Sequence, residues 1–341
     1  VARDVQLPWS PGAWRRLLAD AVDDTDRLRH ELGLESPAGD EDGSEEAARQ
    51  FKVRVPRGFV DGMRRGDETD PLLRQVLPTA AELEEIAGFT TDPIGEQRSK
   101  AVDGVLHKYH GRALLVVTGA CAIHCRYCFR RHFPYSDATA LVAGWEAAVD
   151  RIADDDSLRE VILSGGDPLT LTDGPLDELF ARLAAIPHLR RLRVHTRVPV
   201  VLPERVDHGL LEVLGKLSLP LVVVLHVNHG REVDQRARIA IAALRDLGAM
   251  VLNQAVLLAG INDTVEAQRD LHETLFEAGV LPYYLHLLDP VAGAAHFDVP
   301  EDQARQLMAE VAAILPGYLV PRLVREIEGA PAKVVLAPSL P

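Results

Sequence analysis

The sequence predicts an α/β fold, a partial and open parallel β/α barrel of about six units, with a helical N-terminal region and an appended C-terminal segment. Three observations carry this expectation. From residue 110 onward, short runs rich in Val, Leu and Ile alternate with longer stretches of helical periodicity, and strand–helix–strand repetition implies parallel pairing through right-handed crossovers. The runs are nearly continuous in apolar residues, as suits a sheet covered on both faces. Nearly every run is also followed at once by polar or glycine-rich residues, and loops after parallel strands gather on one face, where barrel enzymes keep their chemistry. Six units are too few for a closed eightfold barrel, and a doubly wound sheet is the alternative architecture.

Taken in order, residues 1–105 read as a mostly helical region. Trp14, Leu17, Leu18, Ala21 and Val22 recur at helical spacing, and Thr79-Ala-Ala-Glu82 fits a capping box that opens another helix. Between them, residues 36–44 are acidic and rich in turn formers, as an exposed loop requires. Residues 106–300 carry the barrel, with strands expected at 113–118, 160–163, 192–195, 221–227, 250–258 and 281–288. Helical faces recur between them, for example over 176–183 and 233–247. Residues 301–341 are expected to form a C-terminal helix and the segment that carries Lys333.

The 51 acidic residues against 37 basic ones give a net charge of −14, which argues against a nucleic-acid-binding face but leaves room for a local basic pocket. No run of 18 apolar residues and no charged-then-apolar leader is present, so a soluble cytoplasmic protein with no membrane partner is expected.

The three cysteines are the most informative residues. All lie in Cys121-Ala-Ile-His-Cys-Arg-Tyr-Cys128, directly after the first core strand. An odd trio this close cannot staple a fold, and core cysteines would be scattered, so metal or cluster ligation is the better reading. Three thiolates on one loop can hold three irons of a [4Fe–4S] cube and leave the fourth open to the amino and carboxylate groups of S-adenosylmethionine. A zinc site is the competing reading, but it needs a fourth ligand, and His124 lies awkwardly between two of the cysteines. The C-x3-C-x2-C spacing in this position resembles the radical-SAM superfamily.

Two further features stand near these loops. Ser164-Gly165-Gly166-Asp167 follows the second strand, where glycines admit a close-lying ligand and the Asp can accept from an ammonium. By position this segment resembles the superfamily motif that holds the amino group of S-adenosylmethionine. Of only five lysines, Lys333 sits in Glu328-Gly-Ala-Pro-Ala-Lys333, a small-residue strip that could swing into the barrel mouth and present an amine for Schiff-base chemistry.

An ordered string then makes the resemblance specific. Cys128-Phe-Arg-Arg-His-Phe133, Ser164-Gly-Gly-Asp-Pro-Leu169, His195-Thr-Arg-Val-Pro-Val200, His226-Val-Asn-His229, Asn253-Gln254 with the following Gly-Ile-Asn-Asp263, and Tyr283-Tyr-Leu-His-Leu-Leu-Asp289 match the lysine 2,3-aminomutase family in order and spacing, over about residues 50 to 335. The ending from Arg325 to Lys333 resembles the short branch that makes (R)-β-lysine for modification of elongation factor P. The resemblance implies pyridoxal 5′-phosphate on Lys333, with pyridine and phosphate contacts from Tyr109, Arg112 and Arg197. It implies Arg130 as the clamp of the substrate carboxylate, a role suited to a planar guanidinium fork. It places His226 and Gln254, more loosely, at the S-adenosylmethionine pocket. The implied reaction converts L-lysine to β-lysine: reductive cleavage of S-adenosylmethionine, hydrogen removal from Cβ and nitrogen migration from Cα to Cβ. An electron donor such as flavodoxin or ferredoxin is implied as a partner.

Asp289 and Glu326 offer two carboxylates to the distant ammonium of lysine, which disfavours glutamate, arginine or ornithine as the substrate. A lysyl group already attached to a translation factor is a further alternative, and a non-catalytic zinc-binding module is one from another class. Three departures stand out. The additional C-terminal cysteines that longer members use for an interchain zinc site are absent, Glu326 stands where free-lysine mutases have Asp, and Lys108 stands where they have Arg.

Overall fold

The computed structural model describes residues 6–35, 43–96, 104–135 and 145–339. One nine-stranded sheet organises them: β1 (Val105–Tyr109), β2 (Arg112–Thr118), β3 (Glu160–Gly165), β4 (Arg191–Thr196), β5 (Leu221–His226), β6 (Met250–Val256), β7 (Leu281–His286), β8 (Arg322–Arg325) and β9 (Val334–Val335). Strand order in the sheet is the order in the chain. Every crossover therefore steps one place in the same direction, as in a barrel, whereas a doubly wound sheet reverses direction part-way. Strands β2 to β8 run parallel, and β1 and β9 lie antiparallel at the two edges.

Seven parallel strands are joined by six crossovers, so the partial barrel of about six units stands, and one further strand, β8, lies past residue 300. Strand β8 is only Arg322-Leu-Val-Arg325, with exposed Arg at both ends and two buried residues between. So short a run has no readable period. The expected strands otherwise match β2 to β7 to within two residues at each end.

The apolar runs conceal an alternation. Leu115 and Val117, Val161 and Leu163, Leu192 and Val194, and Val223 and Leu225 join a core with helix residues such as Leu176, Leu179, Ala240, Leu244 and Leu271. Side chains alternate along a strand, so Ser164, Arg193, His195, His226, Gln254 and His286 belong to the other face, toward the barrel interior. One face is apolar, and the other carries the chemistry.

The N-terminal helices are short, Ala13–Ala19, Thr25–Leu32 and Ser44–Gln50, and the capping box opens only one 3-10 turn, Ala80–Leu83. Most of the acidic stretch 36–44 lies outside the described residues. Buried Glu82 explains how this region docks. Its carboxylate accepts from Arg126 at 2.8 and 2.6 Å and from Arg131 at 2.8 Å, pinning it to the cysteine loop. Among the described residues, no helix is long and apolar enough to cross a membrane.

Candidate active site

The cysteine loop begins three residues beyond β2. Backbone bonds hold it to the N-terminal region, His124 N to Arg54 O at 2.9 Å and Arg126 N to Gln75 O at 2.8 Å. All three thiols are free and half-buried. Burial pushes the Cys121 thiol up, and burial together with the Cys125 sulfur pushes Cys128 to about 11. Thiolates in such a place need a strong cation, which cluster iron supplies. His124 packs toward the N-terminal region: Nδ1 lies 2.8 Å from Lys52 O and the ring stacks on Phe51. Among the described residues, no three His, Cys, Asp or Glu side chains surround a single-ion position. The donor set is thus three sulfurs without a fourth ligand, which fits separate irons of an open cube better than tetrahedral zinc.

The Ser164–Asp167 segment lies directly against this loop. A Cβ on Gly166 would sit 2.2 Å from Ala120 O, and Gly165 has φ +123°, so both positions require glycine for the approach. The expectation that Asp167 receives an ammonium is corrected. Oδ1 accepts from Thr196 Oγ1 at 2.7 Å and Leu169 N at 3.0 Å, while Oδ2 accepts from Arg197 N at 2.7 Å and Val198 N at 3.2 Å. These four donors use the carboxylate's four lone-pair sites. Burial raises its pKa to about 6, against the pull of those same bonds. Asp167 joins the β3 loop to the β4 loop, and the glycines before it are tied in as well: Gly165 O accepts from Tyr135 Oη at 2.9 Å and Gly166 N donates to Thr118 O at 2.7 Å.

Arg197 is also corrected. It was expected beside Tyr109 and Arg112, but its guanidinium donates to Cys125 Sγ at 2.7 Å, to Gln75 Oε1 at 2.7 Å and to Glu232 Oε2 at 2.8 Å. It belongs to the cysteine loop. Arg130 is buried and grips Glu96 bidentately, 2.7 Å from Nε to Oε2 and 2.7 Å from Nη2 to Oε1. A third bond runs from Nη1 to Ser164 Oγ at 2.9 Å. The fork therefore does hold a carboxylate, but one supplied by the protein.

Deeper in the barrel, Gln254 Nε2 meets His226 Nε2 at 3.1 Å, and the His226 and His195 rings lie 5.8 Å apart. Burial, then the Arg197 and Arg130 charges, brings His226 down to about 3, and burial first likewise keeps His195 and His286 neutral. Nε2 of His195 and of His286 are buried without a protein partner. Interior polar atoms left this way match a site built around a bound group.

At the far end stands Glu326. Oε1 accepts from Lys108 Nζ and from Tyr109 Oη, each at 3.0 Å, and Oε2 pairs with Lys333 Nζ. Burial alone would raise this carboxyl, but the Lys333 and Lys108 ammoniums outweigh it and hold the pKa at about 2. Asp289 is pushed up to about 7, by burial first and then by the Glu326 charge. Arg112 lies over the Tyr109 ring at 4.9 Å. Arg193, in ion contact with Glu160, acts with Arg112 on the Tyr283 phenol, and both Arg112 and Arg193 bury an unpartnered Nε.

The structure thus brings together Lys333, Glu326, Tyr109, Arg112 and Asp289, and separately Arg130 with Ser164 and His226 with Gln254. It moves Arg197 and Asp167 to other work. Gln75, Glu96, Arg193, His195, His286 and Glu232 were missed. Arg193 and His195 alternate with buried Leu192 and Val194, a legible signal, whereas Gln75, Glu96 and Glu232 reach the site only through tertiary packing.

Residues 115–271 match the model of the Radical SAM superfamily. The chain is 48% identical to the L-lysine 2,3-aminomutase of Escherichia coli K12, over 95% of this chain and 94% of that protein. It is 43% identical to the L-lysine 2,3-aminomutase of Haemophilus influenzae, over 95% of each. A solved radical SAM methyltransferase from Sphaerobacter thermophilus resembles it with a TM-score of 0.42 and 19% identity, over 65% of this chain and 68% of that one. With an iron–sulfur cluster and S-adenosylmethionine as its superfamily's cofactors, and with these identities along nearly its whole length, the chain belongs to the lysine 2,3-aminomutase family of radical SAM isomerases.

Proposed function

We propose that this protein moves the α-amino group of L-lysine to Cβ, forming β-lysine, with pyridoxal phosphate bound beside the cluster and S-adenosylmethionine. One observation carries the reading. Strands β8 and β9 fold the C-terminal segment back so that Lys333 pairs with Glu326, close enough to Asp289, His195, His226 and His286 to act on each. A lysine brought into the interior from the C-terminal strip is what attachment of pyridoxal phosphate requires.

Cys121, Cys125 and Cys128 hold the cluster, and the Ser164–Gly166 segment with His226 and Gln254 lines the place of S-adenosylmethionine. Lys333, Tyr109 and Arg112 hold pyridoxal phosphate, with Arg193 in the part first given to Arg197, because Arg197 is committed to Cys125, Gln75 and Glu232 whereas Arg193 acts with Arg112 on Tyr283. Bound there, the cluster and S-adenosylmethionine supply a hydrogen-abstracting radical, and pyridoxal phosphate supplies the π-system through which nitrogen migrates. The chain's own residues position and enclose. Arg130 takes the substrate carboxylate by exchanging its partner Glu96, Asp289 and Glu326 face the side-chain ammonium, and neutral histidines line the interior. The Arg325-to-Lys333 ending supports β-lysylation of elongation factor P as the fate of the product. Flavodoxin or ferredoxin in the cytoplasm fits the need for a one-electron donor.

Borohydride reduction followed by peptide mapping tests the site. Pyridoxal phosphate trapped on Lys333 and absent from Lys52, Lys108 and Lys216 is the expected result, and trapping on one of the others overturns it. Parallel assays with free lysine and with lysylated elongation factor P show which form is isomerised.

A further inference from the structure

We infer that Arg197 sets the reduction potential of the cluster, through its contact with the sulfur of Cys125. The inference rests on the reading of Cys121, Cys125 and Cys128 as the cluster ligands.

Among the contacts of the three cysteine sulfurs, the one with Arg197 is a charged hydrogen bond, Nη1 to Sγ at 2.7 Å. Arg197 is 5% exposed, so its charge acts through protein rather than water. Its position is over-determined. The backbone N donates to Asp167 at 2.7 Å, and Nη2 donates to both Gln75 and Glu232. Glu232 is fixed in turn, since Oε1 accepts from Gln75 Nε2, Asn228 N and His229 N, each at 3.0 Å. Gln75 Oε1 also accepts from Tyr127 Oη at 3.2 Å and from Asn228 Nδ2 at 3.1 Å. Phe59 and Tyr127 lie against the guanidinium at 5.4 and 5.9 Å from their ring centroids.

A guanidinium so held cannot turn toward Tyr109 or Arg112 without abandoning a buried carboxylate. It can stabilise added negative charge on a cluster one bond away. A hydrogen bond to a ligating sulfur and a nearby positive charge both favour the reduced cluster, and both raise its potential. Glu232 opposes this from the other side of the same side chain. The pair therefore forms a graded setting: Arg197 pulls the potential up and Glu232 tempers it.

Opposite signs make the test. Reconstituted wild-type, Arg197→Gln and Glu232→Gln proteins are titrated potentiometrically with electron paramagnetic resonance detection, after iron and sulfide are measured. Intact cluster content with Arg197→Gln shifted negative and Glu232→Gln shifted positive is the expected result. For Arg197→Gln the expected change is roughly a tenfold fall in the reduced-to-oxidised ratio at fixed potential, about 59 mV for one electron. If Arg197→Gln assembles no cluster, the Glu232→Gln shift alone decides, positive in support and zero or negative against. Unchanged potentials with weakened S-adenosylmethionine binding overturn the inference and make Arg197 a ligand of that molecule's carboxylate. Wild-type protein that binds no iron and sulfide fails the cluster reading itself, a result distinct from all of these.

Discussion

Glu326 Oε1 accepts a hydrogen bond from Lys108 Nζ at 3.0 Å, and this contact joins the strand next to one edge of the sheet to the strand at the other. The open side of the barrel is thus bridged by side chains where backbone pairing stops. Lys108 and Glu326 are both largely buried, so the ammonium and the carboxylate depend on each other.

Glu326→Gln should accordingly be a severe substitution, since it strands Lys108 and Lys333 in a largely buried setting. Breaking such a pair costs roughly 3–5 kcal/mol, measurable by urea unfolding. The folded pKa of about 2 lies below the ordinary 4.5, so the unfolded chain binds more protons in that window. The stabilisation is present in full above pH 4.5 and is lost as pH falls toward 2. Glu326→Gln should lack that part of the acid-unfolding slope.

Asp289 behaves in the opposite sense. Its folded pKa of about 7 exceeds the ordinary 3.8, so ionising it costs stability as pH rises through that interval. An arriving substrate ammonium reverses this by favouring the carboxylate, and binding then releases a proton. The KM for lysine should fall as pH climbs from about 5.5 to 7, and Asp289→Asn should flatten the profile while cluster and pyridoxal phosphate contents stay normal. A wild-type profile with no slope in that range counts against Asp289 as the ammonium site.

The sequence already displayed six strands, the cysteine loop and the unusual lysine, because each is a local pattern. It hid β8, whose four residues begin and end with Arg. It also misdirected Asp167 and Arg197. Both stand just after barrel strands, where a ligand-facing role and a loop-joining role look alike, and only the partners tell them apart. Gln75 and Glu96 are invisible for another reason. They come from the N-terminal region and meet Arg197 and Arg130 across 122 and 34 residues of chain.

Pyridoxal phosphate retention separates the three arginines. Arg112→Ala and Arg193→Ala each remove a charged donor, worth about 1.5–3 kcal/mol, and should weaken retention roughly tenfold or more. Arg197→Gln should leave the pyridoxal absorbance unchanged. Loss of absorbance in Arg197→Gln, with Arg193→Ala unaffected, would restore the assignment that the sequence first suggested.

Glu96→Gln tests whether Arg130 receives the substrate. Without its resident counterion, buried Arg130 should cost the unliganded protein roughly 3–5 kcal/mol. Lysine supplies a replacement carboxylate, so it should raise the melting temperature of Glu96→Gln more than that of wild type. Equal increments in the two proteins would place the substrate carboxylate elsewhere.

The central claim is tested most directly by following the nitrogen. Reduced enzyme, reconstituted with cluster and loaded with S-adenosylmethionine and pyridoxal phosphate, is given lysine labelled with nitrogen-15 at the α-amino group, and the products are read by NMR. The account predicts β-lysine with the label on its Cβ amino group, and no product from Cys125→Ala protein. Fully loaded wild-type enzyme that cleaves S-adenosylmethionine yet leaves the label on Cα would contradict it.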